Sequence, residues 1–225
     1  MKRIKSLDNI KLSKYIASQL NHFFPDEELI HSADLLIHIN NAEERVYACL
    51  ESIPKKYFTE DGNTYFNHLQ SDQYCMYLYM LANSIYRHEG TNNLSTKLYY
   101  LNKSLHSVDI YFTSQLPDIF LFVHPLSTIL GRASFGNYFI AYQGCTIGCL
   151  NEGIFPTIGE QVIMYANASI LGDCKIGNNV CIAAGVSVIN SNIPDNVIVL
   201  GSYPNYKFIP NNKTIFERPP FIYGK

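Results

Sequence analysis

From residue 123 onward the apolar residues of this chain recur every six positions, and that period restricts the fold more than any other feature. Every sixth residue from 158 is aliphatic: Ile158, Met164, Ile170, Ile176, Ile182 and Val188. The fifth place of each hexad holds a small or β-branched residue, in Val162, Ala168, Cys174, Val180 and Val186. Gly159 and Gly177 take the second place, where a tight corner favours a residue without a side chain. The same frame extends upstream through Val123, Ile129, Phe135, Ala141 and Ile147, with Ser127, Ala133, Phe139 and Cys145 fifth. Only the stretch 148–157 breaks it, because Ile147 and Ile158 stand eleven residues apart. Six residues are too few for a helical repeat unit and too many for plain strand alternation. They suit a solenoid in which each hexad is one short strand and three hexads close a triangular coil. The pattern predicts a left-handed parallel β-helix, with the first residue inward, the fifth in the narrow corner, and 148–157 thrown out as a loop.

Upstream of residue 123 the period is helical. Leu12, Tyr15, Ile16 and Leu20 form a stripe. Pro25-Asp-Glu-Glu-Leu reads as a helix start, with acids at the positive end of the dipole. A long helix is expected over 66–88, with Tyr74, Tyr77, Leu78, Leu81 and Ile85 on one face and Gly90 as its stop. Another follows over 94–105, before Pro117 turns the chain into an extended apolar stretch. The fold class is therefore α+β: an α-helical domain over 1–122, then the β-helix over 123–225 with an irregular C-terminal tail.

Composition narrows the partners. Charged residues make up 16% of the chain, against the roughly 25% of ordinary soluble domains, while 47% are hydrophobic. Disorder is excluded, and so few charges predict a surface partly covered by another subunit. The net charge of −2 leaves no basic footprint for nucleic acid. No apolar run approaches the ~20 residues of a membrane span, and the basic start continues into polar sequence rather than a signal peptide; a cytoplasmic protein is expected. Cys49, Cys75, Cys145, Cys149, Cys174 and Cys181 show neither a C-x-x-C pair nor zinc-ligand spacing, so they read as buried thiols with no metal.

The order of parts resembles the serine acetyltransferase branch of the hexapeptide acyltransferases. The resemblance runs over about a hundred residues, from His124-Pro-Leu-Ser-Thr-Ile to Gly201-Ser-Tyr-Pro. It passes through Cys145-Thr-Ile-Gly-Cys, Pro156-Thr-Ile-Gly-Glu, Ile170-Leu-Gly-Asp, Ala183-Ala-Gly-Val-Ser-Val and Ile193-Pro-Asp-Asn. It implies acyl transfer from acetyl-CoA to a small-molecule acceptor, by a homotrimer or a dimer of trimers with active sites between neighbouring β-helices. On the same resemblance the pantetheine lies along the coil edges, at Tyr165, Ala166, Ala183, Ala184, Gly185, Gly201 and Ser202, with Lys207 or Lys213 near the nucleotide phosphates.

This sequence also departs from that pattern. The family has a His directly before the Pro that follows its excursion loop; here Phe155 stands there. The family's Asp-His pair on an early coil is absent, because the chain passes straight from Ile129-Leu-Gly-Arg-Ala-Ser to Phe135. These departures point to an acceptor other than serine, such as a sugar destined for polysaccharide. True serine O-acetylation, N-acylation of an amino sugar, and a non-catalytic trimeric scaffold are the alternatives. A hydroxyl attacking a thioester calls for a base titrating near neutrality, which makes histidine the first choice. His22, His31, His38 and His68 read as structural. His124, second in its hexad and pointing outward, is the leading candidate. His106 and Asp109, three apart, are expected to share a helix face as an oriented pair. Asp118, Tyr142 and Gln143 are secondary candidates.

Overall fold

The computed structural model describes residues 2–53 and 58–218. Its N-terminal half contains β1 (Arg3–Lys5), α1 (Asn9–Phe23), α2 (Ser32–Ser52), β2 (Thr59–Glu60), β3 (Asn63–Phe66), α3 (Ser71–Glu89) and α4 (Asn93–His106). α1 starts where the Asp8 carboxylate accepts the Lys11 N–H, and α3 ends at Gly90 with φ of 76°. Residues 72–85 of α3 are all buried, so this helix is the axle around which α2 and α4 pack. β1, β3 and β2 form a small sheet at one side.

One expected helix start does not form. Pro25 to Ile30 is non-helical, and α2 opens at Ser32, where the Asp34 carboxylate accepts the His31 N–H. The acid at 26 has another use. Asp26 accepts Lys97 Nζ at 2.6 Å and the Glu28 N–H, tying the turn to α4 instead of capping a helix.

The second half winds as a parallel β-helix of about four coils. The first coil has β4 (Phe120–Val123), β5 (Ile129–Leu130) and β6 (Ser134–Phe135). The second has β7 (Phe139–Tyr142), β8 (Thr146–Gly148) and β9 (Thr157–Ile158). The third has β10 (Ile163–Met164), β11 (Ser169–Leu171) and β12 (Lys175–Ile176), and the fourth β13 (Cys181–Ile182), β14 (Ser187–Ile189) and β15 (Asn192–Ile193). A hairpin of β16 (Val197–Ser202) and antiparallel β17 (Asn205–Pro210) closes the lower end. Three sheets result, in the orders β17-β16-β13-β10-β7-β4, β14-β11-β8-β5 and β15-β12-β9-β6.

The hexad frame holds from Ala141 downward. Ala141, Met164, Ile182 and Val199 stack in register, as do Ile147, Ile170 and Val188, all inward and at most 1% exposed. The fifth-place residues from Phe139 to Val186 are likewise buried. In the first coil Phe135 lies in line with Ile158 as expected, but the frame is one residue early in β4 and one residue late in β5. Phe122, not Val123, lies in line with Ala141, and Leu130, not Ile129, with Ile147. Ile129 is 47% exposed, while Leu130 is buried. The turn between β4 and β5 is longer than a hexad corner, and Thr128 takes the corner place, donating its hydroxyl to the Tyr142 carbonyl.

The three outer faces differ. Ser134, Thr157, Lys175 and Asn192 line one face and are all exposed. On the sheet begun by β4, α3 packs against the first strand, and the tail lies beside the lower ones. There Asn211 bonds back to Asn179 and Asn196, Ile215 is buried, and the Phe216 ring meets Tyr138 edge-on. The third face, β5-β8-β11-β14, carries Ile129, Thr146, Ser169 and Ser187 in register.

Candidate active site

One corner of the solenoid, between the strands of the β4 sheet and those of the β5 sheet, gathers most of the residues singled out above. From the first coil downward it carries His124 to Ser127, then Tyr142-Gln143-Gly144, Tyr165-Ala166-Asn167 and Ala183-Ala184-Gly185. A ladder of backbone bonds joins them: Gly144 N–H to the Leu126 carbonyl, Asn167 N–H to Gln143, and Gly185 N–H to Ala166. Gly144, Asn167 and Gly185 all have positive φ, the geometry that turns each coil here. A Cβ on Gly144 would strike the Asn167 side chain, whereas beside Gly185 a Cβ would meet nothing within 4 Å. The lower part of this edge is therefore open. Higher up, the Tyr142 and Tyr165 rings lie 5.2 Å apart and form a wall. Gly201, Ser202 and Lys207 follow on the closing hairpin, all exposed. Lys213 is exposed on the tail.

His124 sits at the head of this edge in the left-handed region, with φ of 52° and an exposed side chain. Its backbone is held from the helical domain. The Asp72 carboxylate, buried in the first turn of α3, accepts the His124 N–H at 3.3 Å. Asp72 went unnoticed in the sequence because an acid in a helix's first turn already has a local explanation; its partner lies 52 positions away.

His106 and Asp109 do not form the expected pair. α4 ends at His106, Ser107 turns the chain with φ of 55°, and Asp109 has left the helix to bridge with Ile129. His106 Nδ1 is 2.8 Å from Asn102 Oδ1 in a buried site, where desolvation lowers the ring's pKa below the ordinary value. Asp109 accepts Tyr99 Oη at 2.7 Å and Lys103 Nζ at 2.6 Å, and these two donors lower its carboxyl pKa against the opposing effect of burial. Asp118 is exposed.

The five remaining histidines have structural surroundings: His38 contacts Glu89, His68 Nδ1 bonds to Ser6 Oγ, His88 Nε2 lies 3.3 Å from Asn41 Nδ2, His31 stands at the start of α2 with its N–H on Asp34, and the His22 ring packs edge-on against Phe23. Five cysteines are buried, and burial pushes the Cys145 thiol up to about 11. Cys149 is the exception, exposed at the start of a loop. That loop leaves after Gly148 and returns at Thr157, with Leu150, Ile154 and Phe155 each more than a third exposed. No group of three metal-ligating side chains and no helix long and apolar enough to cross a membrane occurs among the described residues.

The profile of the family described as "Bacterial transferase hexapeptide (six repeats)" matches residues 155–190. The serine acetyltransferase of Synechococcus elongatus is 32% identical over 108 residues, 46% of this chain and 44% of that protein. The serine acetyltransferase of Bacillus pumilus is 27% identical over 130 residues, 53% of this chain and 59% of that one. The chain thus spans about half the length of these curated relatives. The crystal structure of Neisseria gonorrhoeae serine acetyltransferase superposes with a TM-score of 0.72 at 23% identity, over 92% of this chain and 80% of that one. A serine acetyltransferase in complex with CoA superposes at 0.67 with 15% identity, over 90% of this chain and 86% of that one. The fold of this chain is therefore that of the serine acetyltransferases from the helical domain through the solenoid.

Proposed function

From a solenoid of hexapeptide repeats behind a helical domain of the serine acetyltransferase arrangement, we infer that this chain is an acetyl-CoA-dependent O-acetyltransferase acting on a small hydroxyl compound. The observation that carries this reading is the open edge of small residues, Ala166, Ala183 to Gly185 and Gly201-Ser202, which leads along one corner to His124. Pantetheine lies along that edge, and Lys207 is the candidate partner for the nucleotide phosphates. L-serine is the acceptor best supported, since the similar proteins reported above are named for it. Nothing among them supports the sugar expected from the sequence.

Transfer is direct, within a ternary complex. His124 takes the acceptor's hydroxyl proton as its oxygen attacks the thioester carbon; the C–O bond forms, the C–S bond breaks, and His124 returns that proton to the departing sulfur so that CoA leaves as the thiol. A homotrimer, or a dimer of trimers, brings a neighbouring β-helix against the edge. The test is acetyl-CoA consumption by the full chain with L-serine and with hydroxy sugars as separate acceptors. L-serine turnover is expected, and His124→Ala should lower kcat by about 10²–10⁴-fold, the usual contribution of a general base. Unchanged turnover in that variant removes His124 from the role.

Phe155, standing where the resembled family has a His, favours a second reading: a trimeric scaffold that does not catalyse. Calorimetry with acetyl-CoA separates the two, because the scaffold takes up no CoA.

A further inference from the structure

After α4 the chain does not go directly into the solenoid; it first runs along its upper rim. The Asp109 N–H donates to the Thr128 carbonyl and the Leu130 N–H to the Asp109 carbonyl, so this stretch extends the β5 sheet by one more line of backbone. Side chains alternate along it. Val108, Ile110 and Phe112 are buried, and Asp109, Tyr111 and Thr113 take the other side. Ile129 faces the same way, and Arg132 stands at the next corner. Between them lies a cavity of about 240 Å³, lined by Asp109, Tyr111, Thr113, Ser114, Ile129 and Arg132 among others. That is below the roughly 300–1,000 Å³ of pockets for drug-sized ligands.

The charges in this cavity are arranged unequally. Asp109 is already held by Lys103 and Tyr99, which fixes its carboxylate in place and offsets its charge. The Arg132 guanidinium makes no ion pair or hydrogen bond with another described side chain and is exposed. A guanidinium with no partner among the described side chains and a fixed acceptor line the same small space, with an isoleucine in its wall, and that combination suits one kind of ligand. We propose that this cavity binds a small carboxylic acid carrying an ammonium or hydroxyl group beside its carboxylate. Arg132 takes the carboxylate through its two-pronged N–H face, and Asp109 accepts from the neighbouring donor. The position is suggestive too. Gly131 stacks directly on the end of β8, its N–H donating to the Ile147 carbonyl, and the excursion loop leaves one residue beyond that strand. The cavity therefore ends at the corner from which the loop departs one coil below. A role as the docking place of the acceptor rests on the acetyltransferase reading; the ligand chemistry does not.

The experiment is calorimetry on the full-length chain with L-serine, glycerate and ethanolamine, followed by acetyl-transfer kinetics. L-serine or glycerate should bind, the tighter of the two identifying ammonium or hydroxyl as the donor, and ethanolamine, which lacks the carboxylate, should not. Arg132→Ala should weaken binding at least 10-fold and Arg132→Lys less. In turnover, Arg132→Ala should raise the acceptor KM by a similar factor while leaving kcat nearly unchanged. Absence of binding by both acids, equal binding of ethanolamine, or unaltered binding in Arg132→Ala overturns the proposal. Serine turnover with an unaltered KM in that variant rejects the cavity as acceptor site and leaves the acetyltransferase reading intact. Arg132-dependent binding of the acids without any acetyl transfer does the reverse.

Discussion

His124 holds a backbone geometry uncommon for a residue with a side chain, and its N–H donates to the Asp72 carboxylate, which reaches it from the helical domain. Asp72→Ala would leave that part-buried N–H without its charged acceptor, and a stability loss of about 1–3 kcal/mol is expected by urea unfolding. His106 makes a different contribution. Its lowered pKa comes chiefly from burial, so the folded state prefers the neutral ring. Between that lowered value and the ordinary ~6.5, the unfolded chain binds more protons, and stability therefore rises with pH. The contribution is fully present above about pH 6.5 and is lost as pH falls through the folded value. Urea midpoints measured from pH 7 to pH 5 should drop, and His106→Gln should drop less steeply. Equal slopes would show that another group carries the effect; His68, also lowered by burial, is the nearest candidate.

At the scale of the coil, three glycines decide how closely strands stack. Gly136, Gly159 and Gly177 lie above one another at a second corner, each with backbone of the next coil where a Cβ would go. A Cβ on Gly159 would sit 2.6 Å from the Gly177 carbonyl oxygen. Gly159→Ala should therefore cost about 1–3 kcal/mol in urea unfolding, as overpacking does. Gly148→Ala is the matched control: its Cβ meets only the Leu171 side chain at 3.9 Å, and a much smaller change is expected. The period of six made the strands legible because each hexad repeats the same inward and corner demands. It misplaced the first two strands of the first coil because Val123 and Ile129 are as apolar as Phe122 and Leu130. Composition at adjacent positions does not say which one faces inward.

Over the whole molecule, the scarcity of charge has a spatial explanation. Residues 123–225 hold 6 Lys and Arg and 5 Asp and Glu, because coil interiors leave few places for charge. The corner with His124 and the loop bearing Leu150, Ile154 and Phe155 expose apolar side chains that a neighbouring copy would cover. Light scattering on the purified protein should give three or six times the 25.6 kDa chain mass, and a monomer at micromolar concentration would contradict the trimer reading.

The residues assigned to the open edge came from the resemblance to the serine acetyltransferases, whereas the sequence by itself determined the repeat, the excursion loop and the change from helical to hexad period. These follow from local periodicity, which a linear reading can see. Only the tertiary structure decided that Asp72 supports His124, that His106 and Asp109 part company, and that Asp109 and Arg132 line one cavity. Each of those depends on where a chain goes after an element ends: one left-handed residue, Ser107, separates His106 from Asp109 and sends the acid to the solenoid rim. Contacts between residues tens of positions apart leave no periodic trace, because they are set by how elements pack and not by how either one is built.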